Sequence, residues 1–119
     1  MNVPDKISYV EFPARDILAT KACFEAVFGW SFVDYGPEYT AFSDQGLDGG
    51  FYQSGLASTA ARGGALIVLY SEDLEHVQAR IEQAGGSIVK GIFPFPGGRR
   101  FHFVEPSGNE MAVWSDVPA

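Results

Sequence analysis

Residues 9–29, YVEFPARDILATKACFEAVFG, and residues 66–86, LIVLYSEDLEHVQARIEQAGG, decide how this chain folds. A constant offset of 57 lays one on the other: Val10 falls on Ile67, Phe12 on Leu69, Asp16 on Asp73, Ile17 on Leu74, Phe24 on Ile81, Val27 on Ala84 and Gly29 on Gly86. Internal repetition at such a period marks a structural unit used twice. Each copy reads as a short apolar strand, then an Asp that accepts a hydrogen bond from a first-turn N–H, an amphipathic helix, and a glycine that ends it. Leu74, Val77, Ile81 and Ala84 form the apolar stripe of the second helix, with Ile17, Thr20, Phe24 and Val27 in the equivalent places of the first.

Three short strands follow each helix. They are expected at Trp30–Tyr35, Tyr39–Ser43 and Asp48–Gln53, then at Ser87–Ile92, Arg99–Glu105 and Glu110–Ser115. Gly36-Pro37, Gln45-Gly46, Pro94 through Gly98 and Pro106-Ser107-Gly108-Asn109 supply the turns between them. Beyond the proline-glycine stretch the offset becomes 62, which places Phe42 on Val104, Gly46 on Gly108, Gly50 on Ala112 and Tyr52 on Trp114. The pattern predicts one α+β domain over residues 1–119, made of two βαβββ modules in tandem at about 5–54 and 64–116. Residues 55–63, within GLASTAARGG, read as a flexible linker. Each module leaves a helix face and a sheet face to cover, so the modules are expected to pack together or with a second chain.

Composition narrows the function. The 119 residues are 46% hydrophobic and 19% charged, as in ordinary globular domains. Such a chain buries roughly two-thirds of its unfolded surface and needs no disulfide or structural metal. The single cysteine, Cys23, excludes an internal bridge, and the start MNVPDKISYV lacks the pattern of a signal peptide, so a cytoplasmic protein is expected. No apolar run approaches the roughly 18 residues of a membrane span. A net charge of −7, with Arg99-Arg100 as the one basic cluster, argues against nucleic-acid binding. There is no nucleophile elbow, phosphate loop, GxGxxG segment or CxxC pair.

FPARD followed by ACFEAVFGW, then EDLEHVQARIEQAGG, then RRFHFVEPSGNEMAVW resembles the vicinal oxygen chelate superfamily of glyoxalases, bleomycin-resistance proteins and extradiol dioxygenases. The likeness runs over nearly the whole chain and is most specific at Phe103, Pro106, Gly108 and Asn109. It is closest to the group described only as predicted enzymes related to lactoylglutathione lyase. The resemblance implies paired βαβββ modules whose mixed sheet curls into a cup with the helices outside and the ligand within, and by analogy a homodimer. Strand alternation agrees with that division. Val10, Phe12, Phe51, Ile67, Leu69, Met111 and Val113 share the apolar parity expected under the helices. The opposite parity carries Tyr9, Glu11, Gly50, Tyr52, Leu66, Val68, Tyr70, Glu110, Ala112 and Trp114.

Metal-using members of the superfamily place a His, Glu or Gln ligand on each of four strands. The resemblance carries these positions onto Tyr9, a residue near Gly50, Leu66 and Ala112. None is a good divalent-metal ligand, so neither a metal nor another cofactor is expected. Glu11, Asp48, His102 and Glu110 are the residues from which a displaced metal site would have to be built. Loss of the metal removes the Lewis acid on which the glyoxalase and dioxygenase chemistries depend.

Glu11 is the first candidate for chemistry. A carboxylate on an apolar strand meets a ligand, pairs with Arg15, Arg99 or Arg100, or stands hydrated, and burial would raise its pKa toward that of a general base. His102, between Phe101 and Phe103, is the candidate acid; a lone strand histidine is otherwise a hydrogen-bonded wall residue. Tyr9, Tyr52, Tyr70 and Trp114 form a stacking cage or else fill the cup. Arg100 follows a proline-glycine loop from which it is expected to reach an anionic substrate, and Glu110 stands at the rim. Three functions fit these residues: a binding protein for a small organic molecule, a metal-independent lyase or isomerase using Glu11 as base, and an interaction or regulatory module.

Overall fold

The computed structural model describes residues 2–119. Strand β1 (Tyr9–Ala14) leads into helix α1 (Ile17–Phe28), then β2 (Phe32–Asp34), β3 (Tyr39–Gln45) and β4 (Leu47–Gln53). A single 3-10 turn (Ala60–Arg62) precedes the second set: β5 (Ile67–Tyr70), α2 (Leu74–Gln83), β6 (Ser87–Phe95), β7 (Gly98–Val104) and β8 (Glu110–Ser115). Each set forms its own four-stranded mixed sheet, in the orders β1-β4-β3-β2 and β5-β8-β7-β6. The two sequence offsets reproduce the pairing register. Val10 lies opposite Gly49 in the parallel pair β1–β4, and adding 57 and 62 gives Ile67 opposite Met111 in β5–β8.

The helices begin as their Asp residues dictate. Asp16 accepts from the Ala19 N–H at 3.0 Å and Asp73 from the His76 N–H at 3.1 Å. Gly29 closes α1 at φ +70°, a left-handed conformation that glycine adopts without penalty. Ile17, Thr20, Cys23 and Phe24 of α1 and Leu74 and Ile81 of α2 are buried. Ile17, Phe24, Leu74 and Ile81 join Phe12, Phe51, Phe101, Phe103, Met111 and Val113 in one core to which both modules contribute. Cys23 is a packed small hydrophobe there, and burial followed by the nearby Glu105 charge pushes its thiol up to about 11.

One local expectation is corrected. β6, expected to end at Ile92, runs on through Pro94 to Phe95, and β7 starts at Gly98, so most of the expected Pro94–Gly98 turn is strand, with Arg99 and Arg100 in β7 as expected. Proline is tolerated because β6 is a sheet edge, where no neighbour needs its missing N–H. Within residues 55–63, Ser58 is bonded to the segment that opens β8. Ser58 N–H donates to Asn109 Oδ1 at 2.9 Å, and Ser58 accepts from the Glu110 N–H at 2.8 Å.

The modules are joined by a buried polar cluster. In the turn Glu105–Asn109, Gly108 N–H donates to the Glu105 carbonyl and Glu105 N–H to the Asn109 carbonyl. Glu105 Oε2 accepts from Thr20 of α1 at 2.5 Å, and Glu105 Oε1 from the Asn109 N–H at 3.0 Å. Asn109 Nδ2 donates to the Pro13 carbonyl at 2.7 Å, while Ser107 Oγ meets Thr20 at 2.7 Å and accepts from the Asp16 N–H. Burial raises the Glu105 carboxyl pKa against the pull of these donors. A buried donor stripped of its partner costs about 1–3 kcal/mol. Glu105→Ala, which strips Thr20 and Asn109 together, is therefore expected to destabilise the protein by about 2–4 kcal/mol in urea unfolding. Glu105→Gln is expected to stay far closer to the parent. A raised acid stabilises most when protonated in both states, so wild-type stability should fall as pH rises from about 4.3 through the raised folded value, and the Gln variant should lack that fall.

Candidate functional site

The sheet faces away from the core carry the polar and aromatic residues, and they form two groups. On the first sheet Tyr9, Glu11 and Tyr52 stand exposed. Glu11 Oε2 accepts from the Tyr39 hydroxyl at 2.8 Å, and the Tyr39 and Tyr9 hydroxyls meet at 2.5 Å. Burial first, then the bonds to Tyr9 and Glu11, push the Tyr39 phenol well above its ordinary value, so it holds its proton and donates. Tyr39 is the residue that sequence reasoning missed. Its phenol lies over Gly50, where an added Cβ would meet the Tyr39 hydroxyl at 2.2 Å and Cζ at 2.5 Å. The Gly49-Gly50 pair inside a strand was the available signal, because a strand glycine marks close approach of another group.

The second sheet carries His102, Glu110, Arg100, Tyr70 and Trp114. His102 Nδ1 and Glu110 Oε2 are 3.0 Å apart, with the side chains 7% and 10% exposed. The other Glu110 oxygen accepts from the Ala60 N–H at 3.1 Å. The His102 hydrogen bond is the main cause that holds the Glu110 carboxyl below its usual range, with the Ala60 N–H and the His102 and Lys90 charges adding to it. Glu110 is thus not a rim residue; it orients the imidazole. Tyr70 donates to Asp116 at 2.5 Å and stands edge-on to Trp114, with ring centroids 5.1 Å apart. The Asp116 carboxylate, with some burial, pushes the Tyr70 phenol up to about 12.

Glu11 therefore bonds Tyr39, and His102 bonds Glu110. The four aromatic side chains divide likewise, Tyr9 and Tyr52 on one sheet and Tyr70 and Trp114 on the other. β1 pairs only with β4 and β5 only with β8, so each sheet ends in an unpaired first strand. A cavity of about 610 Å³ is a mainly apolar cleft lined by both of these strands together with Phe28, Trp30, Phe42 and Met111. Gln45 and Tyr70 are the polar side chains of its walls, and the carboxylates and the histidine lie on the outward sheet faces.

The four positions at which a superfamily metal would be held do not fit one. Tyr9 is committed to Tyr39, Gly50 is covered by the Tyr39 phenol, and Leu66 and Ala112 bring no donor atom. Among the described residues no three His, Cys, Asp or Glu side chains converge as a displaced site would require.

The family model described as the Glyoxalase/Bleomycin resistance protein/Dioxygenase superfamily matches residues 6–113. No curated protein sequence matches. Among solved structures, a glyoxalase-related enzyme from Fulvimarina pelagi superposes with a TM-score of 0.78 at 14% identity, covering 93% of this chain and 88% of that one. The fosfomycin resistance protein FosX from Listeria monocytogenes gives 0.76 at 18% identity, covering 95% and 94%. Lactoylglutathione lyase from Agrobacterium tumefaciens gives 0.67 at 20% identity, covering 96% of each chain. At these identities the likeness establishes the fold alone.

If the Tyr39 phenol fills the side-chain space over Gly50, Gly50→Ala is expected to cost about 1–3 kcal/mol in the parent and distinctly less beside Tyr39→Ala. Denaturation of the four proteins of this cycle measures the coupling, and additive costs would contradict the packing.

Proposed function

The chain belongs to the glyoxalase/bleomycin resistance protein/dioxygenase superfamily, and on that premise we propose that it is a metal-independent member that binds a small organic molecule through its aromatic sheet faces. One observation carries this reading: the Tyr39 phenol occupies the space over Gly50 where the family would place a metal ligand. In place of a metal donor the wall presents a protonated phenol tied to Glu11 and Tyr9. Tyr9, Tyr52, Tyr70 and Trp114 supply stacking area, Glu11 supplies a charge for a ligand donor, and Arg100 one for an acceptor.

The working unit is proposed to be a cytoplasmic homodimer. Unpaired β1 and β5 flank an apolar cleft, and a second copy would cover both the strand edges and the cleft. It would also let the first-sheet face of one copy stand against the second-sheet face of the other.

A second reading, a metal-independent lyase or isomerase, is favoured by the His102–Glu110 pair. A carboxylate that fixes one imidazole nitrogen leaves the other to move a proton, the arrangement of an oriented general base. Glu11, exposed and engaged by Tyr39, is less suited to that role than the sequence alone suggests.

A thermal-shift screen against divalent metals and a metabolite and drug library tests both readings. A ligand at about 100-fold over its Kd adds roughly 2.7 kcal/mol, on the order of 10 °C for a domain of this size. An organic hit weakened by Glu11→Gln or Tyr39→Phe is expected; a response to metals alone would sink the proposal. Turnover of such a hit that Glu110→Gln abolishes would favour the enzyme.

A further inference from the structure

Strand alternation sends the two arginines of β7 to opposite faces. Arg99 turns toward α2 and pairs with Glu75 at 2.8 Å, whereas Arg100 shares the outward face with His102 and makes no ion pair among the described residues. Arg100 and His102 sit around one ring, Phe93 of β6. The Arg100 guanidinium carbon lies 5.3 Å from the Phe93 centroid, Lys90 Nζ 5.1 Å, and the His102 ring 5.8 Å. Two of the chain's eight Lys and Arg and one of its two His thus surround a single aromatic side chain in a protein of net charge −7.

Their hydrogen bonding is incomplete. His102 Nε2 and Arg100 Nε, like Arg99 Nε on the other face, are shielded from water and have no partner among the described residues. Shielded, unsatisfied polar atoms are costly and call for a function or a ligand. His102 is 5% exposed, and Glu110 already takes its Nδ1, so Nε2 is the atom left to a ligand. Beside Arg100 lies a hollow of about 250 Å³ lined by Val68, Phe95, Gly97 and Trp114, in which the guanidinium also stands 5.4 Å from the Phe95 ring. β6, which carries Phe93, breaks regular pairing on both sides of Lys90, so the ring covering the imidazole sits on an irregular strand.

We infer that this face is the receptor for a planar organic oxyanion, an aromatic carboxylate or phosphate whose charged group engages Arg100, Lys90 and His102 Nε2 and whose ring occupies the hollow against Phe95 and Trp114. The inference rests on the small-molecule reading above and adds the ligand class. The Arg100 guanidinium and the Lys90 ammonium donate charge-assisted bonds to such a group. Glu110 fixes the imidazole from its Nδ1 side, and the aromatic walls select for a flat body.

The full chain is titrated with benzoate, phenyl phosphate and the neutral benzyl alcohol while the imidazole and guanidinium 15N resonances are followed. At least one of the two anions should shift His102 Nε2 and Arg100 Nε saturably, and whichever binds more tightly names the oxyanion. Benzyl alcohol should bind at least tenfold more weakly, and Arg100→Gln should weaken anion binding at least tenfold while Arg99→Gln does not. Absence of a saturable His102 shift with both anions, or unchanged anion affinity in both Arg100→Gln and His102→Gln, overturns the inference. If the anions fail but a neutral organic hit from the thermal screen binds, the ligand class is wrong and the small-molecule reading stands; if neither binds, both fall.

Discussion

The turn Glu105–Asn109 is the constraint on which the rest of the structure depends. It is short and polar, and it is sunk between the modules. One carboxylate and one carboxamide serve the end of β1, the first turns of α1, the linker and the start of β8. An apolar interface between two similar modules would tolerate sliding, because dispersion and burial are not directional. Hydrogen bonds with this geometry in a dry setting are directional and costly to leave unmade. The outward positions of Glu11 and His102 follow from that fixing, since β1 enters the turn cluster at Pro13 and β8 leaves it at Glu110.

The fold was legible because repetition encodes register as well as element type. The offsets of 57 and 62 superimpose strand on strand and carry a cross-strand pair of one module onto that of the other. The five residues by which the offsets differ extend β6 and the β6–β7 hairpin. Pro94 hid that extension, because proline reads as a breaker until the strand is known to be an edge. The turn was accordingly expected to start at Pro94, inside what is strand.

The site was less legible because its bonds join residues that no local pattern relates. Tyr39 lies 28 residues from Glu11 and reaches it across a strand order that inserts β4 between β1 and β3. His102 and Glu110 are closer in sequence, and the hairpin around the turn places His102 opposite Ala112 and diagonal to Glu110. Their shared parity would have paired them once the turn length was known. What remained hidden was burial. Glu11 and Glu110 occupy similar sequence surroundings, yet one is exposed and the other is packed beneath the linker.

The bond between Asn109 and the Pro13 carbonyl spans 96 residues and so closes nearly the whole chain into a ring. Closing such a loop costs on the order of 4 kcal/mol of chain entropy before any contact rewards it. The first module emerges before the second, and the Asn109 that locks β1 and α1 follows Pro13 by 96 residues. Until then Thr20, Asp16 and the Pro13 carbonyl face water, and the apolar side chains of the first module have no second sheet against which to close. Assembly is therefore a late, all-or-none event governed by long-range topology, and a chain stopped short of Asn109 leaves its first half exposed to aggregation.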